Sequence, residues 1–354
     1  MAADAPSAGR HGKGPRLRDR PWYPAARRAL TILFFLAVLG LVANHARHVE
    51  WSAVGGALRA YSLGTLWPAI AFAAASHALY CGYDLIGRHE TGHGLPARTV
   101  AGVGFTSDAF NLNLGSLVGG VALRYRLYAR LGLNAEVTTR ILALSVLTNW
   151  LGYFCVAGGL FLLAPPVMPP GWELGSEGLR WVGGGLLLAS AAYLAVCFLS
   201  PRREWQLRGH ALRLPSGRMA LLQLAVSGAN WMMIGAVLWV LLHHRIDYPS
   251  TLAVLLVAAV AGVIAHVPAG LGVLEGVFLA LLSHRVPQGE LLAALLAYRA
   301  LYYLAPLGIA LGLFLKFHAG EQGRAVEQTA DRSTGRGERR AHARPSASAA
   351  TGPG

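Results

Sequence analysis

Charged side chains are scarce in this chain. Asp, Glu, Lys and Arg make up 14% of its 354 residues, whereas soluble domains carry about 25%. Apolar residues reach 54% and the mean hydropathy is +0.44. A soluble core does not need so extreme a balance, so a membrane protein is the default class. Acidic residues are the scarcest charged group, 17 against 31 Lys and Arg, which leaves a formal charge of +14. That excess does not point to nucleic acid, because the basic residues gather at particular places. Arg10, Lys13, Arg16, Arg18, Arg20, Arg27 and Arg28 precede the first apolar run or open it. Arg324, Arg332, Arg336, Arg339, Arg340 and Arg344 lie in the tail, and others cluster at 202–218. Clustering between apolar runs is what orients membrane helices with their positive loops in the cytoplasm. Cysteine is scarce too. Cys81, Cys155 and Cys197 each sit in an apolar run without metal-ligand spacing and read as packing residues. No nucleotide-binding loop, zinc motif or Ser-His-Asp pattern is present, and the His243-His244 pair reads as a solvated loop. No cofactor, metal or catalytic residue is therefore expected. The first apolar stretch, 29–43, follows a long polar segment and lacks a small-x-small cleavage site, so it reads as a retained helix.

What the chain does have is long apolar runs. A spanning helix needs roughly 20 mostly apolar residues. Candidates lie at 27–46, 65–86, 141–164, 180–199, 219–242 and 289–316. Two further stretches, 100–121 and 251–283, do not fit as simple crossings. A full crossing at 100–121 would put Arg124, Arg126, Arg130 and Arg140 on the outer side, against the positive-inside rule. Entry and return on the cytoplasmic side keeps them inside. Stretch 251–283 would make a continuous helix of about 50 Å, too long for a hydrocarbon core of about 30 Å. Two half-helices broken at Pro268, Gly270 and Gly272 fit better. The predicted fold is thus an all-α integral membrane protein with about six transmembrane helices and two interrupted, re-entrant hairpins, one from each face. This arrangement is similar to that of inverted-repeat transporters, although no internal sequence repeat stands out. Residues 1–26 and 319–354 are rich in Arg, Ala, Gly, Ser and Pro and are expected to be disordered cytoplasmic ends flanking a membrane domain over 27–318.

Ionisable groups inside membrane stretches are costly and usually face the bundle interior. Here they are Asp84, Asp108, Glu275 and Arg299, with His77 and His266 as weaker members and Asn111, Asn113, Asn149, Gln223 and Asn230 as polar amides. Pro268, Gly270 and Gly272 allow a break, after which a helix restarts near Leu271 with free N–H groups suited to an anion. Glu275 falls in its first turn, where a helix dipole favours a carboxylate. Arg299 has Tyr302 and Tyr303 three and four residues on, so both tyrosines are expected near its face. Two readings of Arg299 stay open: a bidentate grip on a lipid phosphate, or an internal ion pair with Glu275. In the first hairpin Asp108, Asn111 and Asn113 need partners. Arg124 and Arg126 beyond it read either as anchors to anionic headgroups or as the entrance for a headgroup.

The run from His266 to Phe278, with Pro268, Gly270, Leu271, Gly272 and Glu275 in order, resembles the Pro-x-Gly-Leu-Gly-x-x-Glu signature of the lysylphosphatidylglycerol synthase transmembrane region. Tyr298 and Arg299 followed by Pro306 and Gly308 look like the family's later pattern. Asn111 to Tyr128 and Thr148 to Tyr153 are similar to a stand-alone subgroup of bacterial inner-membrane proteins. In two-part synthases the resemblance implies a flippase-like membrane region and a separate soluble transferase domain. Only residues 319–354 follow the last predicted helix, so lipid handling without synthase activity is what the resemblance implies. The expected partner is a membrane phospholipid with an anionic headgroup, bound by the hairpin, Arg299 and tyrosine residues named above. Nucleic acid is not expected, and homo-oligomers are left open. The expected activity is translocation of a phospholipid or lipid-linked substrate in the bacterial inner membrane. A membrane enzyme using Asp84, His77 or Asp108 as a base, and a non-transporting structural subunit, are the alternatives.

Overall fold

A backbone in lipid must satisfy its N–H and C=O groups within its own segment, so long apolar runs fold as helices. In the computed structural model, six helices among the described residues are long and apolar enough to cross a membrane. The structure describes Ser52, Gly56 and residues 59–166, 175–201, 204–207, 210–265, 270 and 272–315. All lie in the second of two units, Ser52–Gly354. The predicted span 27–46, the two basic ends and Pro268 lie outside the described residues.

The helices are α1 (Leu63–Thr91), α2 (Ala97–Leu114), α3 (Leu123–Arg130), α4 (Ala135–Leu163), α5 (Ser176–Leu199), α6 (Gly217–Leu241), α7 (Tyr248–Ala265), α8 (Val273–Leu282) and α9 (Gln288–Tyr298). A π-helical segment, Ser116–Ala122, joins α2 to α3. A second, Arg299–Leu304, follows α9 within one span that runs to Leu315. Side-chain caps start several of these helices. Ser62 accepts from the Thr65 N–H at α1, Asn134 from Val137 at α4, and Ser216 from Met219 at α6. Five predicted spans are matched by α1, α4, α5, α6 and the α9 span. The basic loop before α6 carries a two-stranded antiparallel hairpin, β1 (Glu204–Leu207) and β2 (His210–Arg213).

Both predicted hairpins form. In the first, α2 stops at Gly115, whose φ of 85° and ψ of 167° place it in a region only glycine occupies readily. The chain then folds back on α2 so closely that a Cβ on Gly119 would overlap the Phe110–Asn111 peptide. In the second, α7 and α8 pack against each other around the turn that contains Gly270 and Gly272. Its legs are unequal. The 18 residues of α7 span about 27 Å and the 10 of α8 about 15 Å, so the first leg approaches the membrane thickness and the second covers half of it. For that reason α7 counts among the six crossing-length helices, which the sequence reading had not assigned as a span.

The packing is inverted relative to a soluble protein. Ser76, His77, Asp84, Asp108, Arg124, Gln223 and Asn230 are buried, while large apolar side chains such as Trp67, Leu163, Trp181, Leu199 and Ile309 are exposed. Such a shell suits hydrocarbon rather than water. α1 packs along α6, and α4 packs against both and against α5. The apolar core centres on α6 to α9, with Leu238, Leu256, Phe278, Leu291 and Leu295 fully covered.

Candidate functional site

The two hairpin turns converge on the second π-helical segment, Arg299–Leu304. Pro306 explains why that segment departs from an ordinary helix. The α-helical partner of the Tyr302 carbonyl would be the N–H of residue 306, and proline has none. A widened turn of this kind is a recurrent feature of functional sites. It leaves carbonyls for other elements to use. His77 Nε2 of α1 lies 3.3 Å from the Tyr302 carbonyl, and Asn113 Nδ2 of α2 donates to the Tyr303 carbonyl at 3.1 Å.

On one side of this segment stands the second hairpin. Arg299 grips Glu275 with two donors: Nε to Oε1, and Nη2 to Oε2 at 3.0 Å. Nη2 also donates to the Gly270 carbonyl at 3.2 Å. Backbone holds the carboxylate as well, because the Gly272 N–H donates to the same Oε2 at 3.0 Å. Gly272 has a left-handed φ of 79°, which presents its N–H to the first turn of α8. The Tyr303 ring lies under the guanidinium, 5.5 Å from centroid to Cζ. Arg299 and Glu275 keep 12% and 22% of their side-chain surface exposed.

On the other side stands the first hairpin, where Asp108, Asn113 and Arg124 are buried. His77 Nδ1 lies 3.2 Å from Asp108 Oδ2. The His77 ring stacks on Tyr302, with centroids 4.7 Å apart. The Tyr302 hydroxyl is 2.8 Å from Ser76 Oγ, which donates to Asn230 Oδ1 at 2.6 Å. Asn230 in turn donates to the Tyr83 hydroxyl, and Tyr83 to Ser227. This chain of polar groups ties α1, α6 and the π-helical segment together. On the returning leg of the same hairpin, Arg124 Nη2 lies 3.0 Å from Asp84 Oδ1, and the Tyr128 hydroxyl donates to Asp84 Oδ2 at 2.8 Å. Among the described residues no group of three or more His, Cys, Asp or Glu side chains comes together as a metal site would require.

Residues 28–310 match the family described as the lysylphosphatidylglycerol synthase TM region. The chain belongs to that family. It is 44% identical over 299 residues to inner membrane protein YbhN of Escherichia coli (strain K12), covering 84% of this chain and 94% of that protein. It is 30% identical over 299 residues to uncharacterized protein slr0712 of Synechocystis sp., covering 82% and 91%. A phosphatidylglycerol lysyltransferase of Staphylococcus haemolyticus shares 34% identity over only 90 residues, 11% of that protein.

Within this family member, the signature residues Gly270, Gly272 and Glu275 build the turn of the second hairpin and its pairing with Arg299. Of the two readings of Arg299, the structure displays the ion pair. Tyr303 lies by Arg299 as the spacing predicted, but Tyr302 does not. The widened turn swings it onto Ser76 and His77 of α1. Asp108 and Asn113 reach the same segment from its far side. Asn111 lies along Gly120, inside the first hairpin. Arg124 is neither a surface anchor nor an entrance, since it is buried against Asp84. Arg126 is half-buried one turn from the hairpin's end. Sequence reasoning passed over Ser76 and Tyr83, gave Tyr128 no role of its own, and gave His77 little weight. A signal was present: Ser76, His77, Tyr80, Tyr83 and Asp84 recur at three- and four-residue steps in an apolar helix, which puts them on one face.

Proposed function

We propose that this protein moves a phospholipid or lipid-linked substrate with an anionic headgroup across the bacterial inner membrane, with Arg299 and the start of α8 as the headgroup site. One observation carries the proposal. The Glu275 carboxylate is bound at once by the Arg299 fork and by the Gly272 N–H at a helix N-terminus. Those two donors suit a phosphate oxygen as well as a carboxylate. Glu275 therefore sits as a built-in anion that a headgroup phosphate displaces. The partial exposure of the pair, between a hairpin turn and an interrupted helix, gives a headgroup access. Two hairpins that meet at one broken helix also provide the backbone breaks that alternating-access transporters use. The inner-membrane assignment follows the printed name of YbhN, and cytoplasmic termini follow from the basic clusters. Lysyl transfer, named for the staphylococcal relatives, is not carried over.

The test is transbilayer movement of labelled phosphatidylglycerol in vesicles reconstituted with the purified protein. The wild type should equilibrate the label, and Arg299→Ala should slow it at least about tenfold through loss of charge-assisted bonds. Arg299→Lys should fall between, because it keeps the charge but lacks the fork. Wild-type rates no faster than protein-free vesicles would overturn translocation, and equal rates for Arg299→Ala would overturn the site.

A further inference from the structure

The contact between His77 and Asp108 holds a proton that it cannot lose and remain a contact. Pro306 has no N–H to offer the Tyr302 carbonyl in the ordinary i+4 place, and His77 Nε2 lies 3.3 Å from that oxygen. A carbonyl only accepts, so Nε2 must carry a hydrogen. The other ring nitrogen, Nδ1, lies 3.2 Å from Asp108 Oδ2. One proton must therefore sit between Nδ1 and Oδ2, whether it belongs to an imidazolium facing a carboxylate or to a carboxylic acid facing a neutral ring. Both forms have the same proton count and no net charge. If that proton leaves to water, two lone pairs face each other and the bridge between the two side chains is lost.

We propose that His77 and Asp108 form a proton-binding switch that locks the first hairpin to α1 and to the Arg299–Leu304 segment, and that its release couples a proton to the lipid movement proposed above. The coupling, though not the switch, rests on the translocation reading. The surroundings suit the role. From α1 the pair is faced by Tyr80, Cys81, Tyr83 and Asp84, and from the π-helical segment by Tyr302 and Tyr303. α3 contributes Arg124 and Tyr128, which already hold Asp84. Phe105 packs edge-on against the His77 ring from α2, and Asn230 of α6 reaches the network through Ser76. The neighbouring ion pairs, Asp84 with Arg124 and Glu275 with Arg299, are each internally neutral, so the proton at His77 and Asp108 sets the local charge. Both residues are buried, where titratable groups in membrane proteins commonly serve as proton relays. Losing the proton removes the tie between α2 and α1 next to the Asn113 contact with Tyr303, the place where the first hairpin turn meets the interrupted helix.

Hydrogen–deuterium exchange over residues 105–120 of the vesicle-reconstituted protein, corrected for intrinsic exchange at each pH, reads the lock without any transported lipid. The wild type should exchange about tenfold faster at high pH than at low pH, the scale of one charge-assisted bond. Asp108→Asn supplies a permanent N–H donor to Nδ1, so it should stay slow at every pH. Asp108→Ala should be fast at every pH. A wild type with the same pH profile as Asp108→Asn would overturn the switch. In parallel, an imposed pH gradient should change the wild-type rate of phosphatidylglycerol movement and leave Asp108→Asn unaffected. If exchange switches while no lipid moves, the translocation reading fails and the proton site stands. If lipid moves while exchange ignores pH, the proton site fails alone.

Discussion

The two hairpins are fastened by the same chemistry at different depths. The first is tied by Asp84 and Arg124, whose side chains are 0% and 3% exposed, and by His77 and Asp108 beside them. The second is tied at its turn by Glu275 and Arg299, part of whose surface remains open, and at its outer ends by exposed pairs. Asp247, just before α7, lies 3.6 Å from Arg285, just after α8, and Arg245 lies 3.1 Å from Glu290. A covered ion pair has no exchange partner, so it can only hold a fold or bind a proton. A half-open pair can trade its carboxylate for another anion. The difference is what the two proposals rest on: proton binding at the first hairpin and anion exchange at the second.

The comparison breaks most visibly at Arg124. Arg124→Ala leaves Asp84 charged and buried without its cation, which should cost about 3–5 kcal/mol. A large fall in thermal stability of the detergent-purified protein would register it. Replacing both partners, Asp84→Leu with Arg124→Met, should restore most of that loss, because apolar groups of similar volume replace a buried pair with little penalty. A double variant as unstable as Arg124→Ala would mean that the pair does more than neutralise itself.

The smallest effect is expected at the outer end of the second hairpin. Burial alone would raise the Asp247 carboxyl, but the Ser250 hydrogen bonds and Arg285 outweigh it and hold the group below the ordinary carboxylate value. Asp247 also caps α7, with the Ser250 N–H donating to Oδ2 at 2.9 Å. A carboxyl depressed in the folded state stabilises it above the unfolded-state value and loses that contribution as pH falls through the folded value. Asp247→Ala should cost about 1 kcal/mol at neutral pH, the worth of a helix cap. The gap from wild type should close in acid. Denaturation curves at neutral and acidic pH measure both. A gap that widens in acid would contradict the cap.

The membrane class and both hairpins were legible in the sequence because they depend on bulk properties: low charge, long apolar runs, and where arginines fall between them. The cap by Glu275 was legible because it is local, three residues from Gly272. Its pairing with Arg299 was one of two readings, since a lone internal cation and a lone internal anion can meet each other or a ligand. Contacts between distant elements were not legible. His77 and Asp108 are 31 positions apart, and Asp84 and Arg124 meet only because Gly115 folds the first hairpin back. Tyr302 was placed on the wrong face because helical spacing assumes regular turns, and Pro306 widens this one.

The central claim is that Glu275 occupies a place built for a headgroup phosphate, and binding to the purified protein tests it most directly. With short-chain phosphatidylglycerol in detergent, Glu275→Gln removes the resident anion but keeps a side chain of the same shape, so the lipid no longer has to displace a charge. We expect Glu275→Gln to bind it about tenfold more tightly than the wild type, and Arg299→Ala to lose binding. Binding to Glu275→Gln that is unchanged or weaker would contradict the claim.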